Sequence, residues 1–300
     1  MVKITKEISN KIKDLYLNHT TISDIIQETG LTRDRITKHL KELGVYKKYG
    51  AKYVQDDYFF NTIDTEKKAY WLGVLYADGC VRSPSQVIFS SIDKDWVEIF
   101  KNDIGSDRKI YREFHKTHQK EIWKIAIHSH QLYQDLCKYG CVDRKSKVIR
   151  MPNIPKELRR HFIRGYFDGD GSASFTYSSK RNKYRTLRTK FFSGSKEFLE
   201  DICKELTTPT PTIGWHSNGK SGGVWQFELG PNNSLTLYDF FYKDATTWLN
   251  RKKEIFELYR NVKYILSEWD EYTDDEKVFI LQRARETLRD YNRPPERVKG

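Results

Sequence analysis

The chain has 300 residues and a formal net charge of +12, from 53 Lys+Arg against 41 Asp+Glu. With 38% hydrophobic and 14% aromatic residues it can bury sizeable cores, which excludes a wholly disordered chain, and its length predicts about two domains. No stretch approaches the ~18 apolar residues that span a bilayer, and the start MVKITKEISNKIKDLY lacks the apolar segment of a signal peptide.

The positive charge is uneven: +4 over residues 1–48, +10 over 49–263 and −2 over 264–300. It favours a polyanionic partner, nucleic acid or an anionic membrane surface, with no segment that enters the membrane. The four cysteines, Cys80, Cys137, Cys141 and Cys203, form no C-x-x-C pair. Cys137 and Cys141 sit near His128 and His130, but packed, reduced thiols account for them better than zinc. That fits a reducing compartment, so the expected location is intracellular: cytoplasmic and nucleoid-associated.

In chain order, Ile8, Ile12, Leu15 and Leu17 give helical spacing over 5–17. A second helix fits 21–29, with Thr21 as N-cap and Ile22, Ile25 and Ile26 on one face. Gly30 breaks the chain, and Thr32 can cap a third helix through Leu43, which Gly44 ends. Ile36, Leu40 and Leu43 are expected inside, and Arg33, Arg35, Lys38 and Lys41 outside. This order resembles the helix-turn-helix units of bacterial and phage regulators and recombinases. The resemblance implies that residues 32–43 enter a major groove. Residues 49–66 read as a linker docked through Tyr53, Tyr58, Phe59 and Phe60.

Next comes an internal repeat. KKAYWLGVLYADGCV (67–81) and RRHFIRGYFDGDGSA (159–173) share a basic start, an aromatic-rich helical pattern and an Asp-Gly end. Strands, a helix, a strand pair, a helix and a basic tail follow each copy in the same order. Residues 67–263 therefore read as a tandem α-β-β-α-β-β-α duplication, an α+β fold in two half-domains, 67–155 and 156–263, with an N-terminal helix-turn-helix and a C-terminal helical extension over 264–300.

Gly73 and Ala77 lie four apart, as do Gly165 and Gly169, so each pair shares a helix face and lets two backbones approach closely. Both helices are expected to end at Gly79 and Gly171 in left-handed caps. If the helices pack together, Asp78 and Asp170 meet at ends already made negative by the helix dipole. A hard divalent cation such as Mg2+, Mn2+ or Ca2+ would join them.

WLGVLYADG (71–79) and IRGYFDGDG (163–171) resemble the two signature helices of LAGLIDADG homing endonucleases, and the resemblance covers about two thirds of the chain, 67–263. It implies a metal-dependent, site-specific DNA endonuclease that hydrolyses one phosphodiester per strand across the minor groove and leaves short 3′ overhangs. Asp78 and Asp170 would be metal ligands, with the carbonyls of Ala77 and Gly169. Mg2+ would be the cofactor, and Mn2+ or Ca2+ would substitute in binding. Lys190, Lys124 and His128 are candidates for stabilising charge at the scissile phosphates. Tyr76 replaces the first acidic residue of the signature, which the second copy keeps as Asp168, and Trp71 and Arg164 also depart from it.

Residues 176–192 hold six basic residues and no acidic one. Lys180, Arg181, Lys183, Arg185, Arg188 and Lys190 fit a β-ribbon for a major groove. The matching first-half hairpin holds only Arg82; Lys109, Arg112, Lys116, Lys120 and Lys124 follow it. The halves differ, so the expected partner is a long, non-palindromic duplex read by a monomer. The start at Met1 with no flanking splicing domain fits an intron-encoded or free-standing mobile element. Thr273 to Glu276 is a capping-box pattern opening a final helix expected to pack on the protein. Two other readings share this fold: a catalytically silent DNA-binding regulator, against which retention of both aspartates argues, and an RNA maturase for intron splicing.

Overall fold

The computed structural model describes residues 4–18, 20, 22–46, 53–82, 85–115, 120–176, 186–217, 222–267, 271–279 and 282. Thr21, Lys116, Lys180, Arg181, Lys183 and Arg185 lie outside them, as does the side chain of Lys120.

Three helices open the chain: α1 (Lys6–Leu17), α2 (Ile22–Thr29) and α3 (Arg33–Glu42). Thr5 caps α1 by accepting from Ile8 N–H at 3.3 Å. Gly30 and Gly44 both take positive φ, +65° and +67°, so the turns are made where a side chain would be strained. Thr32 stands at the N-cap of α3, but its side chain makes no capping bond. Ile12, Tyr16, Ile25, Leu31, Ile36 and Leu40 form a core of their own. Leu43, expected inside, is exposed: it is the C-cap just past the end of α3; Leu17, the last residue of α1, is exposed too.

The segment read as a linker docks through three of its four expected aromatics. Phe59, Phe60 and Ile63 are buried in the main core, and Tyr53 lies under the Arg108 guanidinium at 4.4 Å. Tyr58 is 65% exposed and does not dock.

The repeat then runs α4 (Glu66–Ala77), β1 (Cys80–Arg82), β2 (Gln86–Ser91), α5 (Lys94–Asp103), β3 (Tyr111–His115), β4 (Lys120–His128) and α6 (His130–Lys138). A 3-10 turn, Lys145–Lys147, links the halves. The second half follows the same order: α7 (Lys156–Asp170), β5 (Ser172–Thr176), β6 (Thr186–Ser193), α8 (Lys196–Glu205), β7 (Gly214–Ser217), β8 (Gly223–Leu229) and α9 (Pro231–Tyr242), then α10 (Asn250–Ser267). Each half builds a four-stranded antiparallel sheet with matching order, β1-β2-β4-β3 and β5-β6-β8-β7. Period-two burial explains the layers. In β6, Leu187, Thr189, Phe191 and Ser193 are buried while Thr186, Arg188, Lys190 and Phe192 alternate with them on the open face. One hydrophobic core spans both halves. The duplication also repeats small contacts: Lys94 lies over Trp123 at 5.3 Å, and Lys196 over Trp225 at 5.5 Å.

Thr273 and Glu276 close a capping box, with Thr273 N–H donating to Oε2 at 2.9 Å and Glu276 N–H donating to Thr273 Oγ1 at 3.4 Å. In the described part of the helix it opens, Val278 and Phe279 are 65% and 63% exposed, and most of the extension lies outside the described residues. Among the described residues no helix is long and apolar enough to cross a membrane.

Candidate active site

The centre of the fold is the contact between α4 and α7. A Cβ built on Gly73 would collide with the Phe162 carbonyl oxygen and lie 2.8 Å from Tyr166 N. A Cβ on Gly165 would collide with the Tyr70 carbonyl oxygen and lie 3.0 Å from Val74 N. The two glycines thus face each other's helices in the same way, and only hydrogen fits between the backbones. At the far end a Cβ on Gly169 would strike the Ala77 methyl and sit 3.2 Å from Asp78 Oδ2. The four small residues form one seam, which brings Asp78 beside the residue preceding Asp170.

Gly79 and Gly171 are not left-handed caps. Gly171 has φ −77°, and neither is among the residues of positive φ. Glycine is required there by crowding: a Cβ at Gly79 would lie 2.5 Å from the Leu75 carbonyl oxygen, and one at Gly171 would lie 2.6 Å from that of Phe167.

Asp78 and Asp170 are both exposed to solvent, yet protein surrounds them on their remaining sides. That partial burial, with the Asp170 charge second, raises the Asp78 carboxyl to about 6 against the pull of Lys252, Arg251 and Lys145. Burial also raises Asp170. Solvent screening limits the size of both shifts, and burial sets their upward direction. Among the described residues neither carboxylate makes an ion pair. Tyr166 O–H hydrogen-bonds Asp170, and two exposed carboxylates free of ion pairs among the described residues, with adjacent carbonyls, suit a hard divalent ion. The Gly169 carbonyl already accepts a 3.3 Å bond from Lys252, whereas no such contact is seen for Ala77 among the described residues.

Two lysines the sequence reading did not single out complete the site. Lys145 Nζ donates to the Gly79 carbonyl at 2.6 Å. Lys252 Nζ donates to Gly171 O at 2.6 Å, and also to Phe167 O at 2.6 Å and Asp168 O at 2.7 Å. Their signal was in the repeat: Asp143-Arg144-Lys145 and Asn250-Arg251-Lys252 stand at matching places in the basic tails.

The departures from the signature have structural reasons. Asp168 is fully buried and accepts from Tyr70 O–H and Leu249 N–H, each at 2.8 Å. It tethers the segment that delivers Lys252. Tyr76, at the matching position, donates to the Tyr139 carbonyl and tethers the segment that delivers Lys145. Arg164 is fully buried and satisfied: it donates to Thr247 O at 3.1 Å, Phe241 O at 2.8 Å, His161 Nδ1 at 2.6 Å and Glu66. Burial, then the Arg164 charge, holds His161 down to about 3, so it stays neutral and accepts. Trp71 donates to Asp103 at 2.8 Å.

Against the solved structures, I-SmaMI bound to uncleaved DNA with calcium ions has a TM-score of 0.51 at 13% identity, covering 75% of this chain and 99% of that one. I-SmaMI is a LAGLIDADG homing endonuclease. The chain has the LAGLIDADG fold. The LAGLIDADG homing endonuclease I-GzeII with its DNA target gives 0.49 at 11% identity over 75% of this chain and 99% of that one, and I-LtrWI gives 0.47 at 13% over 76% and 97%. No protein-family model matches the sequence. A probable translation initiation factor IF-2 of Methanocaldococcus jannaschii is 30% identical over 142 residues, 44% of this chain and 11% of that protein. The chain therefore spans about a tenth of that relative's length.

On the LAGLIDADG frame, each sheet starts two residues after a site aspartate, at Cys80 and Ser172. Lys190 pairs with Ser172 in that first row. Lys124 pairs with Ser90, and both it and Lys190 are tied to carboxylates, Glu113 at 3.2 Å and Glu228 at 2.9 Å. His128 lies opposite Gln86, in the Arg82 row, further along the sheet from Asp78, and burial and Arg108 lower its pKa. Arg82, Lys124, His128, Arg188 and Lys190 share the open faces. Arg112 does not: it pairs with Trp123, on the opposite face from Lys124, and its guanidinium is bound to Glu121. Lys109 is exposed just before β3, and Lys120 is the first residue of β4. Arg33, Lys38 and Lys41 are exposed on α3, while Arg35 is half-buried.

Proposed function

We propose that this chain is a site-specific DNA endonuclease of the LAGLIDADG homing type, cutting one phosphodiester per strand across the minor groove and leaving short 3′ overhangs. The observation that carries this reading is the pair Asp78 and Asp170, set by a seam of small residues at adjoining ends of two equivalent helices and backed by Lys145 and Lys252. I-SmaMI, of the same fold and bound to uncleaved DNA in the presence of calcium ions, supports it.

Asp78 and Asp170 would hold divalent ions, Mg2+ foremost, with the Ala77 carbonyl and, shared with Lys252, that of Gly169. A bound divalent ion supplies charge for the phosphoryl oxygens and acidifies water. Lys145 and Lys252 neutralise the helix ends and keep both aspartates in place. Lys190, nearest by register, and Lys124 are free to turn to phosphate, since exposed ion pairs are worth only ~0–1 kcal/mol. His128 lies further off and suits a phosphate contact away from the chemistry.

The open sheet faces differ between halves, so one chain would read a long, non-palindromic duplex as a monomer. We assign residues 1–48 to a helix-turn-helix that adds contacts through α3, and 264–300 to a helical extension. The first half would start before Phe59 rather than at 67. An intracellular place of action goes with this reading.

The test is incubation of the full chain with Mg2+ and a duplex library that includes DNA flanking its own gene. Discrete double-strand breaks are expected. Sequence-specific binding with no cleavage in Mg2+ or Mn2+ would make the protein a regulator instead.

A further inference from the structure

Glu228 is exposed on the open face of the second sheet, among side chains whose charge suits phosphate. The register of β6 and β8 sets it opposite Lys190. Lys190 Nζ lies 2.9 Å from Oε2, and Arg188 Nη1 lies 3.2 Å from Oε1. Each carboxylate oxygen therefore holds one cation. The first sheet has no counterpart, because the register puts Ala126 opposite Ile88 where the second sheet has Glu228 opposite Lys190. Its own acid, Glu113 on the edge strand β3, pairs among the described residues with one cation, Lys124 of β4.

A plain surface ion pair would add little stability. On a face that meets DNA, a carboxylate also offsets a neighbouring cation's attraction for phosphate. It is favourable where it meets a donor on a base edge. In the major groove the cytosine N4 amino group is such a donor, and guanine O6 and N7 accept from Arg or Lys. A carboxylate offers about four acceptor sites, so the two ion pairs leave room for one more donor.

Resting on the endonuclease reading, we infer that Glu228 is a specificity-determining residue that reads cytosine in the half-site under the second sheet, with Arg188 and Lys190 holding it and facing guanine or phosphate. The Ala126 position gives the other half-site no such contact.

The test is selection from a randomised duplex library with the full chain and with Glu228→Gln. The wild type should enrich cytosine at one position of one half-site. The variant should replace that preference with adenine, whose N6 and N7 match an amide, by about tenfold, the scale of one mismatched base pair. It should also bind unrelated DNA more tightly, with one negative charge removed, and keep its melting temperature. Unchanged base preference at every position in the variant would overturn the inference while leaving the endonuclease reading intact. If neither protein enriches any sequence, the endonuclease reading falls and takes this inference with it.

Discussion

Lys145 and Lys252 make the same hydrogen bond in the two halves, each donating at 2.6 Å to the carbonyl of the glycine that follows a site aspartate. Both are buried, at 7% and 3% exposure. Burial lowers Lys252 to about 8, with Asp168, Asp78 and Asp170 pulling it back up. Each ammonium sits where a helix dipole and two carboxylates concentrate negative charge. The duplicated chain thus keeps a duplicated electrostatic balance around its pair of acids.

The seam between α4 and α7 leaves no room for a methyl group. Gly73→Ala and Gly165→Ala should each cost about 3 kcal/mol, because the obstacle is backbone that cannot rotate away. Gly105→Ala, at φ +60° with open space around it, should cost only about 1 kcal/mol. Urea denaturation of the full chain measures all three. Equal losses would mean that backbone conformation, not the seam, governs the glycines.

Glu66 accepts from the buried Arg164 and from Thr246 and Thr247 N–H, both at 3.3 Å. Glu66→Ala leaves a charge with 0% side-chain exposure without its carboxylate, and should cost about 3–5 kcal/mol. Replacing Glu66 and Arg164 together by apolar residues should recover part of that loss. A thermal melt of the single and double variants decides it, and no recovery in the double variant would show that the network is not coupled.

The pH dependence has a definite sign. Asp78 is raised from 3.8 to about 6, so between these values the folded protein takes up a proton that the unfolded chain does not. In the metal-free protein this group therefore adds stability as pH falls through about 6 and opposes folding above it. A protonated carboxylate does not ligate, so the stabilisation given by Ca2+ or Mg2+ should be present above about 6 and fade below. Asp78→Asn should melt higher than wild type without metal at pH 7.5 and gain less from Ca2+. Melting curves across pH, with and without Ca2+, check both arms. A metal increment that does not shrink between pH 7.5 and pH 4 would contradict the assignment.

Much of the frame was legible because it was written twice. The 92-residue spacing of the Asp-Gly helices, the small residues at i and i+4 and the period-two pattern over 176–192, seen as a strand at 186–193, each carry a local rule to a correct element. What the sequence left obscure depends on tertiary crowding. Gly79 and Gly171 looked like turn glycines, but contact with Leu75 and Phe167 selects them. Arg164 and Tyr76 looked like departures from a signature, and their partners, Glu66 and Tyr139, come from distant segments. Arg112 looked like its basic neighbours until strand register placed it on the other face. Lys145 and Lys252 were hidden among many lysines, since only the fold brings them to the helix ends.

The most direct test is a strand-resolved cleavage assay on the selected duplex in Mg2+, with each strand labelled separately. Wild type should cut both strands with a short 3′ stagger. Asp78→Asn and Asp170→Asn should each lose double-strand cleavage while still binding the duplex. Cleavage of both strands by either variant at the wild-type rate would contradict the paired-aspartate site.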